Sequence, residues 1–133
     1  MLDDLLADID RQNDTDSGTE PVVSLELFFD GNDDSGSIGC NLTDHPGIDR
    51  FYTVLRNIRD RVDVHGVWVA ITEVTGPDEW PFSDHVYIVT TASPEHVAEW
   101  AAELEPDPPA DWPNDLPDIP VPVGAHIVTL FWD

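Results

Sequence analysis

The chain has no lysine, one cysteine and no long apolar run, and each of these absences argues against a class of protein. Its five cationic side chains are all arginines and stand against 28 Asp+Glu, for a formal net charge of −23. Nucleic-acid-binding proteins need a basic surface, so we expect no nucleic-acid partner, and the same charge repels anionic membranes. A single cysteine forms neither an internal disulfide nor a paired-cysteine zinc motif. No segment approaches the ~18 apolar residues of a membrane span, and the N-terminus lacks a basic, apolar leader, so we expect a cytoplasmic protein.

The residues that are present suffice for a folded core. The chain has 133 residues, of which 41% are hydrophobic, a composition typical of one globular domain. We expect an N-terminal amphipathic helix and flexible linker over residues 1–20, followed by a single α+β domain over residues 21–133. The linker begins at Arg11, where apolar residues stop. The helix is predicted from apolar residues at i, i+3, i+4 and i+7, which are Leu2, Leu5, Leu6 and Ile9.

The apolar patterns predict the following strands: Val22–Phe29, Ser37–Leu42, Val64–Val74, His85–Thr91 and Val123–Trp132. Helices are expected after Pro46, with a buried stripe ending at Val62, and after the capping residue Ser93. A loop is expected over residues 105–122, because they hold seven of the 12 prolines. We predict an α+β fold in which helices cover one face of a mixed or antiparallel sheet of about five strands. From residue 37 the order is the ferredoxin-like βαββαβ string, preceded by an extra strand and helix.

Two tryptophans lie in proline-stiffened, acidic loops, in the strings Glu79-Trp80-Pro81-Phe82 and Asp111-Trp112-Pro113. Residues 76–133, which contain both strings, carry twelve acids and no arginine. Rigid aromatic side chains rimmed by acids are typical of protein-binding surfaces. The alternative is that each tryptophan folds back over an open face of the sheet. The residues proposed for protein binding are Trp80, Phe82, Trp112, Asp111 and Asp115.

The segment Asp30–Asp34 alternates oxygen-bearing side chains in a way that superficially resembles a calcium loop. The following glycine, Gly36, falls one position late for an EF-hand, and a polar hairpin turn accounts for the same residues. Three histidines lie on or beside predicted strands and would form a zinc site if they met across the sheet. They are His65, His85 and His126. The alternative is that the histidines do not converge.

Four of the five positive charges lie on or just after the helix that follows Pro46, at Arg50, Arg56, Arg59 and Arg61. At helical spacing Arg50 and Arg61 project on the outer side near Asn57. Two interpretations stay open. Either these arginines balance acids from neighbouring segments, or they form a site for a small anion or carboxylate.

The strings GSIGCNL, EWPFSDHVYIVT and LFWD resemble a group of small acidic proteins encoded in high-GC actinobacterial genomes. The resemblance covers most of residues 22–133 and implies no activity and no catalytic residue. The chain is also similar in type to bacterial immunity proteins, which are small, acidic α+β domains of the cytoplasm.

These observations favour a non-enzymatic, acidic protein-binding domain whose partner is a basic protein. Its narrower form is an immunity-type inhibitor of a basic, nuclease-like toxin, acting as a monomer or homodimer without a cofactor. One alternative is a small metal-dependent or other enzyme that uses Asp30–Asp34 or the histidines. The other is a domain whose acidity reflects salt adaptation or codon bias, because net charge does not specify a fold or a partner.

Overall fold

The computed structural model describes residues 2–15, 21–32, 34, 36–38, 45–74, 76, 79–109, 119 and 121–132. The α-helices in these ranges are α1 (Leu2–Thr15), α2 (Leu25–Phe29), α3 (Ile48–Arg59) and α4 (Pro94–Trp100). A 3₁₀ turn over Ala102–Leu104 follows α4. The strands are β1 (Val22–Val23), β2 (Val64–Ala70), β3 (His85–Thr90) and β4 (His126–Phe131).

The strands form one four-stranded sheet in the order β1-β2-β3-β4, and each neighbouring pair is antiparallel. This confirms the α+β class and the antiparallel alternative for the sheet. The prediction of about five strands and a ferredoxin-like topology is not confirmed in the described part of the chain. A βαβ crossover joins parallel strands, whereas α4 leads from β3 to an adjacent antiparallel strand.

Helices cover one face of the sheet. Successive side chains of β2 alternate between the two faces, so Val67 and Val69 point towards the helices while Trp68 and Ala70 point away. All four helices contribute buried residues to the core on the helical side, among them Leu5, Phe28, Phe51, Leu55 and Val97. The apolar stripes of α1 and α3 therefore face the core, as their spacing in the sequence predicts.

The opposite face of the sheet is packed by the end of the proline-rich segment. Ile119 is buried there against a second cluster that includes Tyr87 and Val89 of β3, and Val121 and Ala125 pack beside it. Residues 105–109 form neither helix nor strand, as their prolines predict. Residues 110–118 and 120 of this predicted loop lie outside the described residues.

The largest error of prediction concerns Val22–Phe29, which is a strand only at Val22–Val23. Ser24 caps a helical turn, because its side-chain oxygen accepts a hydrogen bond from the backbone N–H of Leu27 at 3.2 Å. Helical spacing then directs the apolar side chains of Leu25, Phe28 and Phe29 into the core.

Two smaller predictions also need correction, and a third is tested only in part. Helix α1 continues to Thr15, past the predicted start of the linker at Arg11. The expected strand Ser37–Leu42 is represented by a single parallel bridge between Ile38 and Ser83, and residues 39–42 lie outside the described residues. Val62 is 99% exposed, because α3 ends at Arg59 and the buried stripe ends with it.

Candidate functional site

Helix α1 docks on the edge strand of its own chain. The side-chain amide of Gln12 donates to the backbone carbonyl of Val22 at 2.7 Å and accepts from the backbone N–H of Val22 at 2.9 Å. Gln12 thus takes the place of a neighbouring strand and covers an edge that would otherwise template pairing with another chain. A cleft of ≈400 Å³ lies beside this junction, with Leu27 and Trp68 among its lining residues.

The loop between β2 and β3 is held by a short antiparallel bridge between Glu73 and Phe82. The backbone N–H of Phe82 donates to the carbonyl of Glu73 at 2.8 Å, and the backbone N–H of Glu73 donates back at 3.3 Å. Residues paired in this way present their side chains on the same face. An exposed carboxylate therefore lies beside the half-buried ring of Phe82.

Trp80 joins this loop to the helical core. Its indole N–H donates to the backbone carbonyl of Phe28 at 2.8 Å, and its ring packs against the main hydrophobic cluster. The ring nevertheless stays half-buried, next to the exposed Glu79 and the buried Pro81. Trp80 therefore contacts the core and also reaches the surface.

These residues form a candidate binding surface at one end of the sheet, here called the acidic loop surface: Glu73, Glu79, Trp80 and Phe82. Glu73 was not among the binding residues expected from the sequence, because only the bridge across the loop places it near Phe82. Alternating residues at the end of the predicted strand Val64–Val74 were the available signal. The remaining proposed binding residues, Trp112, Asp111 and Asp115, lie outside the described residues.

Each of the five arginines contacts another side chain of this chain. Four form ion pairs, which are Arg11–Asp8, Arg50–Glu103, Arg59–Glu26 and Arg61–Asp63. Two lie over aromatic rings, with Arg61 4.0 Å from the ring centre of Trp100 and Arg56 4.9 Å from that of Tyr52. The interpretation that the arginines balance acids from other segments is thus supported by the ion pairs of Arg50 and Arg59.

The ion pair between Glu26 and Arg59 shifts the pKa of both side chains. Burial by itself would raise the pKa of Glu26, but a hydrogen bond from its own backbone N–H and the Arg59 guanidinium together lower that pKa. Burial likewise opposes the charge of Arg59, and Glu26 outweighs it, so the pKa of Arg59 is raised. The pair therefore favours the charged form of both residues.

The histidines proposed for zinc do not converge. His85 is buried, with Nδ1 2.6 Å from Asp84 Oδ1 and Nε2 3.0 Å from the Tyr87 hydroxyl. His126 lies at the opposite end of the β3–β4 ladder, opposite Thr90. Among the described residues, no group of three or more histidine, cysteine, aspartate or glutamate side chains has the arrangement of a metal site.

In the segment proposed for calcium, Asn32 and Asp34 form side-chain hydrogen bonds typical of a turn, and Asp33 lies outside the described residues. Asn32 is buried, and its Oδ1 accepts from the backbone N–H of Asp34 at 2.9 Å. Asp34 in turn accepts from the backbone N–H of Gly36 at 2.9 Å. Local side-chain bonding of this kind explains the polar residues as turn formers.

The fold and its charges define an acidic α+β protein whose arginines are engaged internally. The chain belongs to the uncharacterised YfbO family, whose model matches residues 1–130. It is 42% identical over 117 residues to the uncharacterised protein YfbO of Escherichia coli (strain K12), covering 85% of this chain and 83% of that protein. No solved structure matches the chain.

These comparisons correct the resemblance drawn from the sequence. The relative comes from Escherichia coli and not from an actinobacterium, and neither match supports the likeness to immunity proteins. In the described part of the chain, no helix has both the length and the apolar content that a bilayer crossing requires.

Proposed function

We propose that this chain is a non-enzymatic protein-binding domain and that its partner is a basic protein. The observation that carries the proposal is the engagement of all five arginines within a chain of net charge −23. By contrast, acids that form no ion pair with another described residue are exposed on α1, on the β2–β3 loop and on α4, for example Asp3, Glu79 and Glu99. Such a charge distribution attracts cationic proteins over long range and rejects anionic ones.

The acidic loop surface is the contact that we propose for this partner. Its two aromatic side chains are half-buried, so they offer apolar area without the cost of ordering a free side chain. Backbone hydrogen bonds between Glu73 and Phe82 join the two sides of the loop at its base. Aromatic anchors provide the short-range binding energy, and the flanking carboxylates of Glu73 and Glu79 accelerate encounter.

The narrower form of the proposal is a cytoplasmic, immunity-type inhibitor of a basic, nuclease-like toxin. Its support is the small size and acidity of the chain together with the engaged arginines, which leave the acidic surface free for a cationic target. A nuclease surface is basic because it binds phosphates, and an acidic protein is complementary to it.

Capture from a lysate of the native host, with the full chain immobilised, tests the proposal. Wild type is compared with Glu73→Gln/Glu79→Gln on the acidic loop surface and with Asp3→Asn/Asp10→Asn on α1, which removes the same number of charges. We expect wild type and the α1 variant to retain a protein of pI above ~9, and the loop variant to lose it. Equal loss in both variants would show attraction by charge alone and contradict a specific surface. If the wild type retains no basic protein, the proposed partner class is contradicted.

A further inference from the structure

A second cleft, of ≈190 Å³, lies between α3 and the segment that includes α4 and the 3₁₀ turn. Val54 and Ile58 are buried and give it an apolar base, and Trp100 supplies an aromatic wall. Its volume is below the ~300 Å³ at which sites for drug-sized ligands begin, so it suits a smaller molecule.

The guanidinium of Arg61 is held at the cleft by two contacts. Its central carbon lies 4.0 Å from the ring centre of Trp100, and its Nε lies 3.4 Å from Asp63 Oδ1. Within the described part of the chain, the hydrogen bonds of Arg61 use Nε alone. The two terminal NH₂ groups therefore retain the fork that binds a carboxylate.

A carboxylate of the protein lines the same cleft. Glu103 forms an ion pair with Arg50, and both side chains are 48% exposed, so the pair is solvated and can rearrange. Charges of both signs thus lie around one apolar base. The earlier interpretation of a simple anion site fits this poorly, because Glu103 and a net charge of −23 both repel a free anion.

We propose that this cleft binds a free α-amino acid with a branched apolar side chain. The carboxylate of the amino acid contacts the NH₂ groups of Arg61, and its ammonium group contacts Glu103. The side chain of the amino acid covers Val54 and Ile58. A zwitterion carries no net charge, so the long-range field of the protein does not oppose its approach. None of the residues that line the cleft belongs to the acidic loop surface, so this proposal does not rest on the proposed protein partner.

Titration of the full-length ¹⁵N-labelled protein with L-leucine tests the proposal. The indole N–H signal of Trp100, assigned with Trp100→Phe, is the readout. Two probes isolate the charges: 4-methylpentanoate lacks the ammonium group, and 3-methylbutylamine lacks the carboxylate. We expect leucine to give a saturable shift and to bind at least about tenfold more tightly than either probe, which corresponds to about 1.4 kcal/mol.

Glu103→Gln should weaken leucine binding to the level of 4-methylpentanoate, while Glu99→Gln, an exposed charge change on α4, should leave it unchanged. Equal affinity of wild type for 4-methylpentanoate and leucine would overturn the zwitterion assignment in favour of an anion site. The absence of a saturable shift with all three compounds at millimolar concentration would overturn the site itself. Unchanged capture of a basic protein by Glu103→Gln would show that the two proposals stand separately.

Discussion

The backbone carbonyl of Phe28 accepts the indole N–H of Trp80 at 2.8 Å, which ties the β2–β3 loop to α2 across 52 positions of sequence. The same carbonyl also accepts from Asn32 Nδ2 at 3.1 Å, so the turn after α2 and the acidic loop surface meet at one atom. The shape of the proposed binding surface therefore depends on the short helix that the sequence analysis did not predict.

We predict that Trp80→Phe lowers the free energy of unfolding by about 1 kcal/mol, because it removes the hydrogen bond to Phe28 and keeps an aromatic ring. Trp80→Ala also removes ring packing and should cost about 3 kcal/mol. Urea unfolding measures both values. Equal stability of wild type and both variants would show that the ring does not support the loop.

Gln12→Ala should loosen the docking of α1, because it removes both hydrogen bonds to Val22. We expect faster amide hydrogen exchange at Val22 and a loss of about 2 kcal/mol in unfolding free energy, since a buried donor and acceptor lose their partners. Arg11→Ala, which removes an exposed side chain one position earlier, serves as the control. Unchanged exchange at Val22 in Gln12→Ala would contradict the edge-covering role.

Glu26→Gln should destabilise the protein only above acidic pH. The pKa of Glu26 is lowered in the folded state, so the carboxylate contributes stability above its unfolded pKa and loses that contribution as pH falls through the folded pKa. The side chain is 48% exposed, so the expected loss at neutral pH is a few tenths of a kcal/mol. Glu99→Gln is the control for the charge change. The difference between Glu26→Gln and wild type should shrink towards low pH, and a difference that grows there would have the wrong sign.

Metal removal should leave the melting temperature unchanged. Side-chain oxygens of Asn32 and Asp34 accept hydrogen bonds from backbone N–H groups. The buried clusters on both faces of the sheet provide an apolar core. Thermal melts with excess EDTA, Ca²⁺ and Zn²⁺ check this expectation. A large, saturable shift with either cation would revive the metal-dependent alternative, because binding free energy adds to folding free energy.

The sequence alone predicts the type of secondary structure wherever the local pattern fits only a helix or only a strand. The stripe of α3, the cap at Ser93 and the alternation of β2 and β3 each predicted the observed type of element. The run Val22–Phe29 was ambiguous, because its apolar residues fit both an alternating strand and a short helix. Capping by Ser24 and burial of Phe28 and Phe29 decide the outcome, and burial depends on contacts distant in sequence.

The candidate site, like the fold, could be predicted from the sequence only in part. The residue types alone drew attention to Trp80 and Phe82. The neighbours of Phe82, however, depend on a bridge to Glu73 nine positions earlier, and the partner of Trp80 lies in α2. Pairing across a loop and docking of an indole are properties of the folded chain, so the sequence pattern gives no direct signal for them.

The central claim is that acids of the loop guide a basic partner while Phe82 anchors it. The most direct measurement is the association and dissociation rates of the captured basic partner over a range of salt concentration. For Phe82→Ala, folded by circular dichroism, we predict dissociation faster by a factor equivalent to about 2 kcal/mol and nearly unchanged association. For Glu73→Gln/Glu79→Gln we predict slower association with a flatter salt dependence. Rates unchanged in both folded variants would contradict the acidic loop surface as the binding site.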